Sequence, residues 1–330
     1  MEFWLPRKLD YFLGEQFMGT MFVGLTDYDW YCTLKSERYE EVNFWRPGST
    51  AFKALKPNDL FIFKLKKPYY AIVGGGFFVK YSLLPISLAW EAFGKKNGTS
   101  SYEEFSERLR RYREKNRIDL ANPYVGCIIL TEPFFFEEKD WIVQPENWPS
   151  NTVVGKIMDT EEGEGKRLFL EVCKRLERKA ISEQIVVGEG VVKENGEARY
   201  QRILVRHRIG QGAFRVLVTD AYQRRCAISG EKTLPVLEAA HIKPYSKDGP
   251  HHVQNGVLLR SDIHKLFDEG YLTIAPDYRV EVSKRIKEDY GNGRIYYQFH
   301  GQRLLVLPNR AEELPSKEFL TWHNENVYLG

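Results

Sequence analysis

The sequence predicts an α+β protein of two domains, and three features carry that expectation. Short apolar–polar alternations bounded by turn residues dominate about the first 155 positions. A polar break follows at Asp159-Thr160-Glu161-Glu162-Gly163-Glu164-Gly165, and a strand–loop–strand–helix pattern lies between Leu237 and Gly270. At 330 residues the chain is long enough for two domains, each with its own core. The expected division is an N-terminal strand-rich domain over 1–158, a helical linker over 159–199 and a C-terminal domain over 200–330.

Each element has a local reason. Residues 18–33 read as a strand and its exit turn. From Phe52 the alternation continues around Pro57-Asn58 and Gly74-Gly75-Gly76, as strands separated by turns. A helix is expected from about 100 to 115. Ser100 and Ser101 can cap it, Glu103 and Glu104 suit its first turn, and Tyr102, Phe105, Leu109 and Tyr112 form one apolar stripe. Another strand is expected at Val125–Leu130, and a charged helix over 166–186. In the C-terminal part a strand enters His241, a polar loop follows, and a second strand at Gly256–Leu259 leads into a helix that Ser261 would cap and Gly270 would end.

Composition narrows the function classes. A net charge of +3 permits a nucleic-acid partner without demanding one, so any basic surface must be local. The four cysteines, Cys32, Cys127, Cys173 and Cys226, form no CxxC pair, which argues against a four-cysteine zinc knuckle and a disulfide framework. Cys226 reads as a small buried hydrophobe. The compartment is read as reducing and cytoplasmic. The N-terminal stretch has charges where a signal peptide needs an apolar run, and no apolar stretch approaches the roughly 18 residues that span a bilayer. Gly163-Glu164-Gly165-Lys166 lacks the Walker spacing, and Gly74–Gly76 is no dinucleotide fingerprint.

The chemistry concentrates late in the chain. Four of the seven histidines, His241, His251, His252 and His264, lie within 24 positions of one another. His264 and Asp268 are four residues apart and project from one helical face. Phosphodiester hydrolysis needs a base for water, a cation for the charge that builds on phosphorus, and a group that keeps the base oriented. A strand histidine, a histidine–carboxylate pair on one helical face and a loop asparagine can supply these. His241 alone on an apolar strand would read as core; Asn255, His264 and Asp268 in register with it change that reading. His251 and His252, beside a Gly-Pro turn, read as exposed loop residues.

In order, Cys226-Ala-Ile-Ser-Gly230, Leu237-Glu-Ala-Ala-His-Ile242 with Pro244, Asn255-Gly-Val-Leu-Leu-Arg260 and Asp262-Ile-His-Lys-Leu-Phe-Asp-Glu-Gly270 resemble an HNH (ββα-metal) endonuclease of the bacterial restriction type with an AAHI motif. Asn255 follows His241 by 14 positions and His264 follows Asn255 by 9, which suits that module. The resemblance covers about 200–330. It implies that His241 is the general base, that Asn255 orients the loop or the base, and that His264 is a metal ligand, with Asp268 where a second ligand could stand. It also implies a divalent ion, Mg2+ first, with Mn2+ or another divalent ion able to substitute. Many relatives carry an Asp or His just before the base, where this chain has Ala240; Glu238, Asp262, His251, His252 and water are the alternatives for that missing ligand. Upstream, Arg202, Arg206, Arg208, Arg215, Arg224 and Arg225 form a candidate DNA-backbone contact, weighed evenly against a solvated surface.

In the N-terminal part, Trp30, Tyr31, Phe44 and Trp45 sit beside polar or turn residues, as do Phe77 and Phe78. Aromatics at loop edges can stack on an extruded base, whereas Trp90, within an apolar run, reads as core. The run Leu55–Phe63 and the strand into Ile72-Val73-Gly74-Gly75-Gly76 resemble the core of PUA-like domains (EVE, ASCH, YTH and SRA), over about 15–155. That resemblance implies a reader of modified bases, with Trp30, Tyr31, Phe44 and Trp45 as its pocket. The combined expectation is a metal-dependent restriction endonuclease acting on double-stranded DNA near a modified base. The alternatives are an HNH nuclease indifferent to modification and a DNA-binding protein with a decayed nuclease. One cut per active site makes double-strand cleavage a matter of a homodimer or of two successive nicks.

Overall fold

The computed structural model of the protein describes residues 19–146, 148–149, 152, 154–185 and 210–330. The chain divides into two units, 1–208 and 209–330.

In the first unit, period-two alternation builds a seven-stranded sheet whose two faces are both apolar. Its strands are β1 (Thr20–Thr26), β2 (Glu41–Arg46), β3 (Leu60–Leu65), β4 (Ala71–Pro85), β5 (Tyr124–Phe135), β6 (Ile142–Val143) and β7 (Gly155–Asp159). They are ordered β2-β5-β4-β3-β1-β7, with β6 on β4, and only β1 and β3 run parallel. On β3, Phe61 and Phe63 enter one core while Leu60 and Ile62 enter the other; on β1, Phe22 parts from Met21 and Val23 in the same way. The helix α1 (Tyr28–Lys35) covers the first face through Trp30, Tyr31 and Leu34. The helix α4 (Gly163–Ile185) covers the second through Leu168 and Val172. Between them in sequence lie α2 (Ile86–Phe93) and α3 (Tyr102–Asn116). Ser101 caps α3 by accepting a hydrogen bond from the Glu104 amide at 3.2 Å.

Three expectations change here. The exit turn expected after β1 is the helix α1, because Trp30, Tyr31 and Leu34 recur at helical spacing and can all be buried at once. Gly74–Gly76 is no turn: it lies inside β4, where the sheet packs too closely for side chains. A Cβ on Gly74 would meet the Phe134 carbonyl oxygen at 2.1 Å, and one on Gly75 would meet the Phe134 ring at 2.6 Å. The linker expected from 159 begins inside this unit, since β7 pairs with β1 through Asp159 and α4 closes the second core. An amphipathic helix with Leu168 and Val172 on one face gains more from the sheet than from solvent, at roughly 1.5–3 kcal/mol per buried large apolar side chain.

The second unit contains α5 (Gln211–Ala221), the hairpin β8 (Leu237–His241) and β9 (Gly256–Arg260), α6 (Ser261–Asp268), the hairpin β10 (Leu272–Ile274) and β11 (Val280–Val282), and the helices α7 (Arg285–Tyr290), α8 (Arg294–Tyr297) and α9 (Lys317–Asn326). Phe214, Val218, Tyr222, Leu237, Val257, Leu259, Ile263, Phe267 and Leu320 share its core. Cys226 is buried, and its Sγ accepts from the amides of Ser229 at 3.4 Å and Arg260 at 3.3 Å, tying the Cys226–Gly230 turn to the start of α6. Ser261 is the first helical residue instead of the cap; Arg260 holds the cap position, and no side chain caps the helix there. Among the described residues no helix is long and apolar enough to cross a membrane.

Candidate active site

The hairpin register places the site. His241, at the end of β8, faces Gly256 at the start of β9. The missing side chain at 256 matters: a Cβ there would meet Val218 at 2.4 Å and the Phe214 ring at 3.0 Å. Phe214 can therefore lie flat on the His241 imidazole, with ring centres 3.9 Å apart at 14°. On the other side, His241 Nε2 is hydrogen-bonded to His251 Nδ1 at 2.9 Å, and His251 stacks on Tyr245 at 4.5 Å. His251 is thus a partner of His241, not the exposed loop residue expected, because stacking on Tyr245 draws the ring inward. His252 is exposed.

Asn255 is fully buried and turned toward the loop. Its Oδ1 accepts from the Lys243 amide at 2.8 Å, and its Nδ2 donates to the carbonyls of Lys243 and Pro250, each at 2.9 Å. With the Ile242 amide on the Asn255 carbonyl at 2.9 Å, these bonds staple the 243–250 loop to the start of β9, the strand paired with the one that carries His241. Three satisfied bonds also keep a buried amide from carrying a desolvation penalty.

One turn of α6 brings His264 and Asp268 together: His264 Nε2 lies 3.3 Å from Asp268 Oδ2. His264 Nδ1 donates to Glu238 Oε2 at 2.6 Å. Strand alternation puts Glu238 and Ala240 on the same side of β8. Ala240 is buried in the core, and Glu238, two residues earlier, brings the carboxylate. Asp262 is occupied elsewhere: Arg260 grips it at 2.6 and 2.8 Å, and the Tyr296 hydroxyl donates to it at 3.2 Å.

These groups open on one pocket of about 320 Å³, lined among others by His241, Tyr245, His264, Asp268 and His323. His323 gave no signal in the sequence. On α9, it donates from Nε2 to the Phe267 carbonyl at 3.1 Å, takes a hydrogen bond at Nδ1 from the Thr273 hydroxyl at 2.8 Å, and stacks on Phe267 at 3.8 Å. It buttresses the end of α6.

The electrostatics separate the histidines. Burial, then the neighbouring His251, pushes His241 down from 6.5 to about 4, so it is neutral at pH 7. Burial also disfavours the charged form of His264, but the hydrogen bonds to Asp268 and Glu238 outweigh it and leave its pKa raised. Burial pushes His323 down to about 4.

The donor set suits a hard divalent ion in part. Glu238 fixes the His264 ring so that Nε2 faces the same side as Asp268, the carboxylate–histidine pattern of many metal sites. Among the described residues no group of three or more histidines, cysteines or carboxylates forms a metal-ligating cluster. His264 and Asp268 could hold an ion only with water and substrate oxygens completing its shell, as Mg2+ commonly accepts.

Of the expected DNA-contacting arginines, Arg202, Arg206 and Arg208 lie outside the described residues. Arg215 lies on α5, and Arg224 and Arg225 on the turn that follows. Arg224 is ion-paired with Asp220 at 3.5 Å, and none of the three lines the pocket.

The expected base pocket fares differently. Trp30 is 4% exposed, Tyr31 1% and Phe44 7%. Trp30 packs edge-on against Phe44 and Phe63, and the Tyr31 hydroxyl donates to the Phe136 carbonyl at 2.7 Å. Tyr31 lines no part of the neighbouring pocket and is a correction: a large ring on the inner face of α1 is worth more in the core. Trp30, Phe44 and the half-buried Trp45 do line a pocket of about 240 Å³, with Asp27, Arg46, Lys66, Arg108 and Tyr112. Trp45 donates from Nε1 to the Asn97 carbonyl at 2.9 Å. Lys66 donates to Asp27 at 2.9 Å and to the Tyr112 hydroxyl at 2.6 Å, and Tyr112 donates to Asp27.

Comparison with known proteins gives one family match and several distant structural likenesses. Residues 226–275 match the family model of HNH endonucleases (HNH_2). No curated protein matches the chain. Among solved structures, ASCH from Zymomonas mobilis is similar at 10% identity and a TM-score of 0.30, over 46% of this chain and 92% of that one. A modification-dependent restriction endonuclease, TagI, is similar at 15% identity and a TM-score of 0.25, over 82% of this chain and 61% of that one. The matched segment holds the paired strands, the stapling asparagine and the helix that bring His241, His264 and Asp268 to one pocket, so residues 226–275 are an HNH endonuclease domain and the chain carries a nuclease.

Proposed function

We propose that the protein is a divalent-metal-dependent DNA endonuclease that reads a modified base with its N-terminal unit and cuts the phosphodiester backbone with its HNH domain. The observation that carries the cutting half is the convergence of His241, His264 and Asp268 on one pocket inside the HNH segment. His241, neutral at pH 7, takes a proton from the attacking water. Asn255 keeps the loop behind it from moving. His264 and Asp268 would hold the ion, with Glu238 keeping the His264 ring in place, and the ion would supply stabilisation of the negative charge that builds on the scissile phosphate. Arg215, Arg224 and Arg225, with Arg206 and Arg208, meet the DNA backbone. The reader's site is the pocket lined by Trp30, Phe44 and Trp45, where an extruded base can stack and polar groups can reach its edge. One cut per domain makes a homodimer the simplest route to a double-strand break.

The burial of Trp30 and Phe44 favours a second reading, a nuclease indifferent to modification. Matched DNAs decide between them: one unmodified, the others methylated, hydroxymethylated, glucosylated or phosphorothioated, each with Mg2+, Mn2+ or chelator. Cleavage of one modified DNA, lost with chelator, is expected; equal cleavage of all the DNAs sinks the reader, and cleavage in chelator sinks the metal.

A further inference from the structure

His251 has no place in the reaction as described so far, yet it is the residue hydrogen-bonded to the base. His241 is held on three sides: Phe214 lies flat on one ring face, the β8–β9 hairpin fixes its backbone, and His251 Nδ1 sits 2.9 Å from Nε2. The first two contacts are apolar or remote from the ring nitrogens, so neither decides which nitrogen carries the proton. The third does, because the bond made by one ring nitrogen sets the state of the other. His251 is itself held, stacked on Tyr245 at 8° between planes. Tyr245 lies in the 243–250 loop that Asn255 staples.

We infer that His251 is a positioning residue for His241, accepting a hydrogen bond at Nδ1 from His241 Nε2–H and so leaving His241 Nδ1 with the lone pair that receives the proton of water. The proton account closes without His251 changing state. Water gives one proton to His241 Nδ1, the remaining hydroxide forms a P–O bond as the bond from phosphorus to the leaving sugar oxygen breaks, that oxygen takes a proton from solvent water, and the imidazolium that results keeps its Nε2–H on His251. That bond becomes charge-assisted as the proton arrives, which strengthens it in the transition state. The inference rests on the nuclease reading of this site.

Three variants separate the hydrogen bond from the packing. His251→Phe keeps a ring to stack on Tyr245 and removes the acceptor. His251→Asn returns an acceptor one bond from Cγ, where Nδ1 stood, without the ring. His251→Ala removes both and leaves space for free imidazole. With full-length protein, one duplex and saturating Mg2+ or Mn2+, His251→Phe should lower kcat on the order of 10- to 100-fold with KM held, less than the base itself supplies. His251→Asn should recover most of that loss, and imidazole should partly restore His251→Ala. In a His241→Ala background, His251→Phe should cost nothing more, because the residue acts only through His241. Cleavage by His251→Phe at the rate of the intact protein overturns the inference while leaving the nuclease reading standing. Equal loss in the Phe and Asn variants also overturns it, since the role would then be neither the acceptor nor its replacement. No cleavage by the intact protein overturns both.

Discussion

In the HNH domain, the histidines that line the pocket are held by hydrogen bonds through their ring nitrogens; in the N-terminal unit, most of the aromatic wall belongs to the hydrophobic core. His264 is bonded to Glu238 and lies beside Asp268, and His241 meets His251, all through polar atoms. Trp30 and Phe44 pack against each other and against further core rings. Histidines and carboxylates brought together in this way cost desolvation unless each polar group drawn from water is matched by a partner. Aromatic rings need no such partner, since stacking on one another already stabilises the fold. Substitutions in the first pocket should therefore strike the rate, and in the second mostly stability.

The sharpest break between the pockets would come from His241→Ala. Cleavage should fall by about 10²- to 10⁴-fold, measured on plasmid DNA, with the thermal midpoint little moved; an equal rate would remove His241 from the chemistry. Trp30→Ala should do the reverse, costing about 3–5 kcal/mol of stability by denaturant titration, as a large buried ring replaced by Ala does. Unchanged stability would place Trp30 in the reader instead of the core.

A third measurement probes the HNH domain from its packing side. His323 has a folded pKa of about 4 against an ordinary 6.5, so as pH falls the unfolded chain takes the proton first. The stability it contributes is complete above pH 6.5 and is lost progressively down to pH 4, amounting to about 3 kcal/mol. His323→Gln should flatten the unfolding free energy between those pH values; an unchanged slope would mean that the imidazole is not held neutral. The smallest effect is expected at Trp45, the half-buried aromatic of the N-terminal pocket. Trp45→Ala should weaken discrimination between modified and plain DNA by about 1–3 kcal/mol, the worth of one base stack. Its sign is a change in the ratio of the two cleavage rates while cleavage of plain DNA holds.

Much of the HNH site was legible because its signals are local. His264 and Asp268 are four apart on a helix, and the helical repeat alone puts them on one face. The partners of these residues were less legible. Nothing near His323 marks it, because Thr273 and Phe267 reach it across some 50 residues. His251 read as exposed because its Gly-Pro neighbours suggest a turn, and only the stack on Tyr245 draws it in. Glu238, one of several alternatives for the missing ligand, instead holds the His264 ring, and Asp262 is held by Arg260.

The sequence by itself determined the α+β class, the HNH segment and that His241, Asn255, His264 and Asp268 belong to one strand–loop–strand–helix unit, because those follow from backbone periods of two and 3.6 residues and from the order of a short motif. Only the tertiary structure decided which aromatics belong to the core, that Gly74–Gly76 permit close strands instead of a turn, that α4 closes a sheet, and that His251 meets His241. Each of these depends on a neighbour distant in sequence, and a ring, a glycine or an amphipathic helix has the same local signature whichever neighbour it finds.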